Sequence, residues 1–252
     1  MKNLGVVIVA QMLALGLAGC VTETTGGGPE PAATAERVQA HLDLARGYLE
    51  KRDYTRARPP LTRALEVDSR SVEALVLMAV LNEAEDDSDL AEQHYRSALR
   101  IDAGNSQALN NYGSFLYGQE RYGEAAEHPR RLVKNTDYRA RSQAYENLGM
   151  AELRLDNRES AKEAFNRALL LNSSQARSSL ELADMAYADG DYSLAQQRYD
   201  AFRRSARQTP RSLCLGMKLG QTAGDTDQMA SYALALQNLF PNSREAKECE
   251  VP

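Results

Sequence analysis

The sequence predicts an all-α protein, a solenoid of about six helix-turn-helix repeats, and three observations lead there. Small residues recur in register with a period of 34 residues. Trp is absent, aromatics are sparse and Ala, Leu, Glu and Arg dominate, a composition that favours helix throughout. The stretches Leu65-Glu66-Val67-Asp68, Leu99-Arg100-Ile101-Asp102 and Leu169-Leu170-Leu171-Asn172 mark recurrent helix ends.

Residues 1–19 read as a secretory signal. Lys2 is followed by an apolar stretch from Leu4 to Leu17, shorter than the roughly 20 residues a spanning helix needs. Leu17-Ala18-Gly19-Cys20 resembles the bacterial lipobox, and by that resemblance Cys20 is lipidated and becomes the first residue of a lipoprotein. The alternative is ordinary cleavage beside an incidental Cys. Several acyl chains on one residue make a durable anchor, since each buried methylene contributes about 0.8 kcal/mol. Val21 rather than Asp after the Cys favours release to the outer membrane, so the expected localisation is its periplasmic face, lipid-anchored. Residues 20–35, with three consecutive Gly and two Pro, hold too little apolar surface to fold and read as a flexible tether.

The repeat array is expected over 36–245. One register of small residues runs Ala45, Ala79, Gly113, Gly149, Ala183, and a second Ala57, Ala91, Ala125, Ala161, Ala195. A third carries Leu61, Tyr95, Pro129, Phe165, Tyr199, and a fourth Ala64, Ala98, Leu132, Ala168, Phe202. Small side chains let two antiparallel helices approach while the large one fills the adjoining space. The arrangement matches the tetratricopeptide family, which implies a right-handed superhelical solenoid of tetratricopeptide helix-turn-helix repeats. Pro59, Pro60 and Pro129 fall inside second helices, so these helices are expected to bend or to start late. One step of 36 places a two-residue insertion near 135–139 and a longer connection there. A degenerate sixth unit follows: Ser212 to Thr222, a turn at Gly224-Asp225, then Gln228 to Leu239, as suits the water-facing end of a solenoid. Residues 246–252 read as a C-terminal tail. Cys214 and Cys249 allow one disulfide in an oxidising compartment, or remain two thiols; sequence does not set their separation.

Catalytic chemistry finds no foothold. There is no phosphate-binding loop, H-E-x-x-H or C-x-x-C, and His41, His94 and His128 have no metal-ligand spacing. The expectation is no enzyme, no cofactor, no metal site and no small-molecule substrate. Asp86, Asp87 and Asp89 read as an acidic turn in which Asp89 caps the next helix, against a cation site. The net charge of −5 and the lack of a basic cluster argue against nucleic acid. What remains is a protein-binding groove along the first helices. Projection of the register puts Leu42, Arg46, Leu49, Val76, Val80 and Glu83 on it in units one and two. Asn110, Ser114 and Tyr117 follow in unit three, Glu146, Met150 and Leu153 in unit four, and Leu180, Asp184 and Tyr187 in unit five. Leu42, Leu49, Val76 and Val80 would form an apolar patch, the mark of a binding surface, unless they pack on one another. Asn110 and Asn111 either bond a bound peptide backbone or serve a helix contact. The Lys and Arg set that clamps a terminal carboxylate is missing from these positions, so an internal apolar segment or strand edge is the expected ligand.

The lipobox, the tether and six repeats together resemble the type IV pilus biogenesis and stability lipoproteins of the PilF/PilW family. Residues 109–117, Leu-Asn-Asn-Tyr-Gly-Ser-Phe-Leu-Tyr, and 145–149, Tyr-Glu-Asn-Leu-Gly, carry most of that resemblance. It implies a pilotin: a lipoprotein that brings the pilus secretin subunit to the outer membrane and promotes its multimerisation, anchored there through its acyl chains. A scaffold for another envelope machine is the alternative.

Overall fold

A computed structural model describes residues 31–249. The signal 1–19, Cys20 and the tether as far as residue 30 lie outside the described residues, as do 250–252. Six antiparallel hairpins follow one another. They are α1 (Pro31–Glu50) with α2 (Tyr54–Val67), α3 (Val72–Ala84) with α4 (Ser88–Ile101), and α5 (Ser106–Gly118) with α6 (Tyr122–Leu132). Then come α7 (Arg141–Arg154) with α8 (Arg158–Leu171), α9 (Ala176–Ala188) with α10 (Tyr192–Ser205), and α11 (Pro210–Ala223) with α12 (Thr226–Leu239). A short α13 (Arg244–Glu248) ends the array. It is the protein's tetratricopeptide solenoid, with no strand among the described residues. Two boundaries differ from the sequence reading. Helix begins at Pro31, inside the segment assigned to the tether, where a missing N–H goes unnoticed. Helix α13 crosses the boundary set at 245 and starts 34 residues after α11, in the place of a seventh first helix.

Each hairpin turns the same way. One residue per turn adopts positive φ: Arg52, Asp86, Glu120, Asp156, Gly190 and Gly224, spaced by the repeat. An Asp follows in four of the six, and Asp53, Asp87, Asp191 and Asp225 each accept the backbone N–H three residues on, capping the second helix. The cap of α4 is therefore Asp87; Asp89, the expected cap, lies in the helix's first turn. Between units, Asp68, Asp102, Asn135 and Asn172 each accept the N–H two residues on, closing Asx turns that reverse the chain.

Packing inside a hairpin follows the registers. Ala45, Ala57, Leu61 and Ala64 have no more than trace exposure, and so do their counterparts in later units. Gly149 shows why the first-helix residue is small: a Cβ there would lie 2.6 Å from the Phe165 ring. Gly216 repeats that relation against Tyr199 and Tyr232.

The prolines do not delay their helices. α2 starts at Tyr54 and runs through Pro59 and Pro60, and α6 runs through Pro129. The departure appears at the far end of α6, which stops at Leu132 and gives way to the connection 133–140, twice the four-residue links elsewhere. Successive first helices touch one another, α1 to α3, α3 to α5 and onward to α11. Among the described residues the backbones of second helices stay farther apart, with Arg198 of α10 reaching Asn166 of α8 only through its side chain, at 3.1 Å. First helices thus form the tighter inner wall, and the concave face belongs to them.

Candidate protein-binding groove

One register position proves to be the seam between units, and of its residues Asn110 alone also lines the open groove. Leu42 packs with Ala74, Leu77 and Leu81 of α3, and Val76 with Ala108 and Tyr112 of α5. Leu42 is 2% exposed and Val76 not at all. At the same position Asn110 accepts from the Asn147 amide of α7 at 3.5 Å, and Leu180 joins Leu213 and Leu215 of α11. Cys214 is bonded to Cys249 just beyond α13, their Cα atoms 5.8 Å apart. Glu146, buried, accepts the backbone N–H and the hydroxyl of Ser178 at 3.0 and 2.8 Å. That carboxylate supplies the cap that Gln175, at the N-cap of α9, does not.

The expected apolar patch of units one and two is accordingly not a free surface. Leu42 and Val76 are corrected to core residues, because the next unit's first helix covers their side of the helix. Leu49 and Val80 are half-buried against the same cores. Arg46 and Glu73 close this stretch with an ion pair.

The open part of the groove lies at units three and four. A cavity of about 130 Å³ is floored by Pro129, Leu132, Ala151 and Met150 and edged by Asn110, Ser114, Tyr117, Asn147 and Arg177. From α5 onward, successive first helices touch over a shorter stretch than α3 and α5 do, and between α5 and α7 the long connection 133–140 intervenes. Side-chain amides run across the gap: Gln143 donates to Asn147 at 3.1 Å, Asn147 to Asn110, and Asn110 to Asn111 at 3.2 Å. Asn110 therefore serves a helix contact and lines the cavity, while Asn111 supports it from beside. Tyr117 stands edge-on to Tyr122 with ring centres 5.1 Å apart, and burial raises the Tyr117 phenol above its ordinary pKa.

Beyond the cavity the charges are mutually satisfied. Arg211 holds both oxygens of the buried Glu181, at 2.6 and 2.7 Å, and also reaches Asp184. Those bonds to Glu181 keep the guanidinium far above its ordinary pKa, while burial pushes the Asp184 carboxyl up against the pull of Arg211. Arg177, the corresponding residue one unit earlier, has no hydrogen-bond or ion-pair partner among the described residues. Met150 lines the cavity; Leu153 and Tyr187 flank the groove, half-buried.

This architecture agrees with the chain's relatives. A tetratricopeptide repeat model matches residues 42–106 and 146–212. The type IV pilus assembly protein PilF of Pseudomonas aeruginosa is 40% identical over 244 residues, which are 95% of this chain and 96% of that protein. The chain belongs to the PilF family. A solved structure of Pseudomonas aeruginosa PilF aligns with a TM-score of 0.83, covering 85% of this chain and 97% of that one. PilW, described as a widely conserved type IV pilus biogenesis factor, aligns at 0.73 with 24% identity, covering 83% and 96%, and shares the fold. The chain is thus a tetratricopeptide protein of type IV pilus biogenesis, and proteins of this kind bind protein partners. Within a PilF-family groove, sequence reasoning missed Asn147 and Arg177. The shared register with Arg211 was the available signal for Arg177, since the same register sets Asn147 and Met150 where Arg211 meets Glu181 and Asp184.

Proposed function

We propose that this PilF-family chain is an outer-membrane lipoprotein pilotin, acylated at Cys20, whose groove holds the pilus secretin subunit while the lipid carries the pair to the outer membrane. The observation that carries this reading is identity of 40% to a type IV pilus assembly protein along 95% of the chain; the sequence Leu17-Ala18-Gly19-Cys20 adds the lipobox. The physical division of labour supports it. A solenoid offers a long inner wall for an extended partner, and the acyl chains provide what a protein surface of net charge −5 lacks, a hold on an anionic bilayer. Binding and address are separable, so they are tested separately. The chain purified from its host in detergent is expected to carry acyl mass on Cys20 and to co-purify with the secretin. Cys20→Ser is expected to remain folded, to leave the outer-membrane fraction, and still to capture secretin in solution. An unmodified Cys20, or a chain that captures no secretin, contradicts the proposal.

A further inference from the structure

The carboxylates facing the groove are already engaged. Glu73 is paired with Arg46, Glu83 accepts from the Tyr95 hydroxyl, Glu146 caps α9, and Glu181 and Asp184 share Arg211. One guanidinium group lining the cavity and a second near it have no carboxylate partner among the described residues. Arg177 is exposed at its edge, and Arg154 is turned onto Tyr122, donating to its hydroxyl with its charge 4.6 Å from the ring centre. Both act on the Tyr117 phenol, against a weaker opposing influence of the Arg211-paired Glu181. A chain that is acidic overall therefore presents a local positive charge at this opening of its inner wall.

The rest of the cavity has the chemistry of a peptide site. About 130 Å³ of space over Pro129, Leu132 and Met150 is close to the roughly 150 Å³ that accepts a benzene-sized group. It fits one apolar side chain. Asn110 and Asn147 each spend one N–H on the cross-groove amide chain and retain another. A side-chain amide pairs donor for acceptor with a peptide backbone.

Building on the pilotin reading, we propose that this cavity is the recognition site for an extended secretin segment in which an Asp or Glu side chain lies beside an apolar one. The acid meets Arg177, the apolar side chain enters the space over Met150, and the backbone between them bonds Asn110 and Asn147. Charge complementarity selects this occupant over a purely apolar segment, because an apolar segment could satisfy both amides through its backbone but would cover Arg177 without giving it a partner.

The probes are overlapping peptides that tile the secretin subunit of the same cell, titrated against the purified chain by fluorescence anisotropy, with capture of intact secretin measured alongside. A peptide bearing an acidic and an apolar residue is expected to bind. Conversion of its acid to the amide should weaken binding by about tenfold or more, the usual scale for a charge-assisted hydrogen bond. Arg177→Glu should lose that peptide yet accept the version carrying Lys in place of the acid. Since Arg177 has no partner to lose, its variants are expected to melt with wild type. Unchanged binding by Arg177→Glu, an amide peptide that binds as well as the acid, or captured peptides without acidic residues overturns the assignment. So does capture of intact secretin with no peptide bound. A wild-type chain that captures no secretin at all removes the pilotin reading itself, and the assignment with it.

Discussion

Glu146 is the residue whose removal tests the seam between units most sharply. Its carboxylate is buried, reaches from α7 into α9, and accepts two bonds from Ser178 in the first turn of a helix that has no cap of its own. In Glu146→Ala the Ser178 N–H stays buried without an acceptor, a cost of roughly 1–3 kcal/mol. Loss of an anion at a helix N-terminus adds about 0.5–1 kcal/mol. The total is about 3 kcal/mol, located at the interface of units four and five. Glu146→Gln keeps a carbonyl acceptor in the same place and should cost only about 1 kcal/mol. Urea unfolding followed by circular dichroism reads the overall loss, and hydrogen exchange of 176–188 reads its place. Because a solenoid couples neighbours only, α9 amides should exchange faster while those of α3 are unaffected. A Glu146→Ala protein within about 0.5 kcal/mol of wild type, or one with uniformly raised exchange, refutes the reasoning.

Asp at Leu42 or Val76, each in a closed core, is expected to cost upwards of about 4 kcal/mol and to unfold units one and two, seen as loss of helical signal. A folded Val76→Asp protein impaired only in binding would restore the sequence-based groove. The Cys214–Cys249 bridge closes a loop with a sequence separation of 35, for which chain entropy predicts about 3–4 kcal/mol. Reductant should lower the melting temperature of wild type and speed exchange in α11, while Cys214→Ser/Cys249→Ser should show no response to reductant. Arg52, Asp86, Glu120 and Asp156 hold positive φ with a Cβ, at roughly 1–2 kcal/mol each, against about 0.5–1 kcal/mol for the added freedom of Gly. Single changes to Gly should each stabilise by about 0.5 kcal/mol and nearly add in the quadruple variant, measured by urea midpoint. No gain in any of them would contradict the turn assignment.

The hairpins were legible because their packing is local. Gly149 must be small since Phe165 lies against it, and both sit in one helix pair, so a single period exposes the rule. Contacts between units were not. The position shared by Leu42, Val76, Asn110, Glu146, Leu180 and Cys214 changes chemistry at almost every step, from apolar packing to amide, carboxylate and disulfide. Only the fold shows that all six meet the next first helix. Sequence projection placed that position in the groove because it shares a helix face with the open positions four and seven residues on, as Asn110 does with Ser114 and Tyr117. Pro59 and Pro60 were expected to bend or delay α2; the helix begins before them. Arg177 was passed over because its significance rests on a contrast with Arg211, whose partners Glu181 and Asp184 are known only from the fold; Asn147 and Met150 stand in their places one unit earlier.

The most direct test of the central claim is to delete the gene, follow the pilus secretin by membrane fractionation and detergent-resistant gel migration, and complement with wild type and with Cys20→Ser. The account predicts loss of outer-membrane secretin multimers on deletion, their return with wild type, and their absence with Cys20→Ser. Normal outer-membrane multimers in the deletion strain would contradict it.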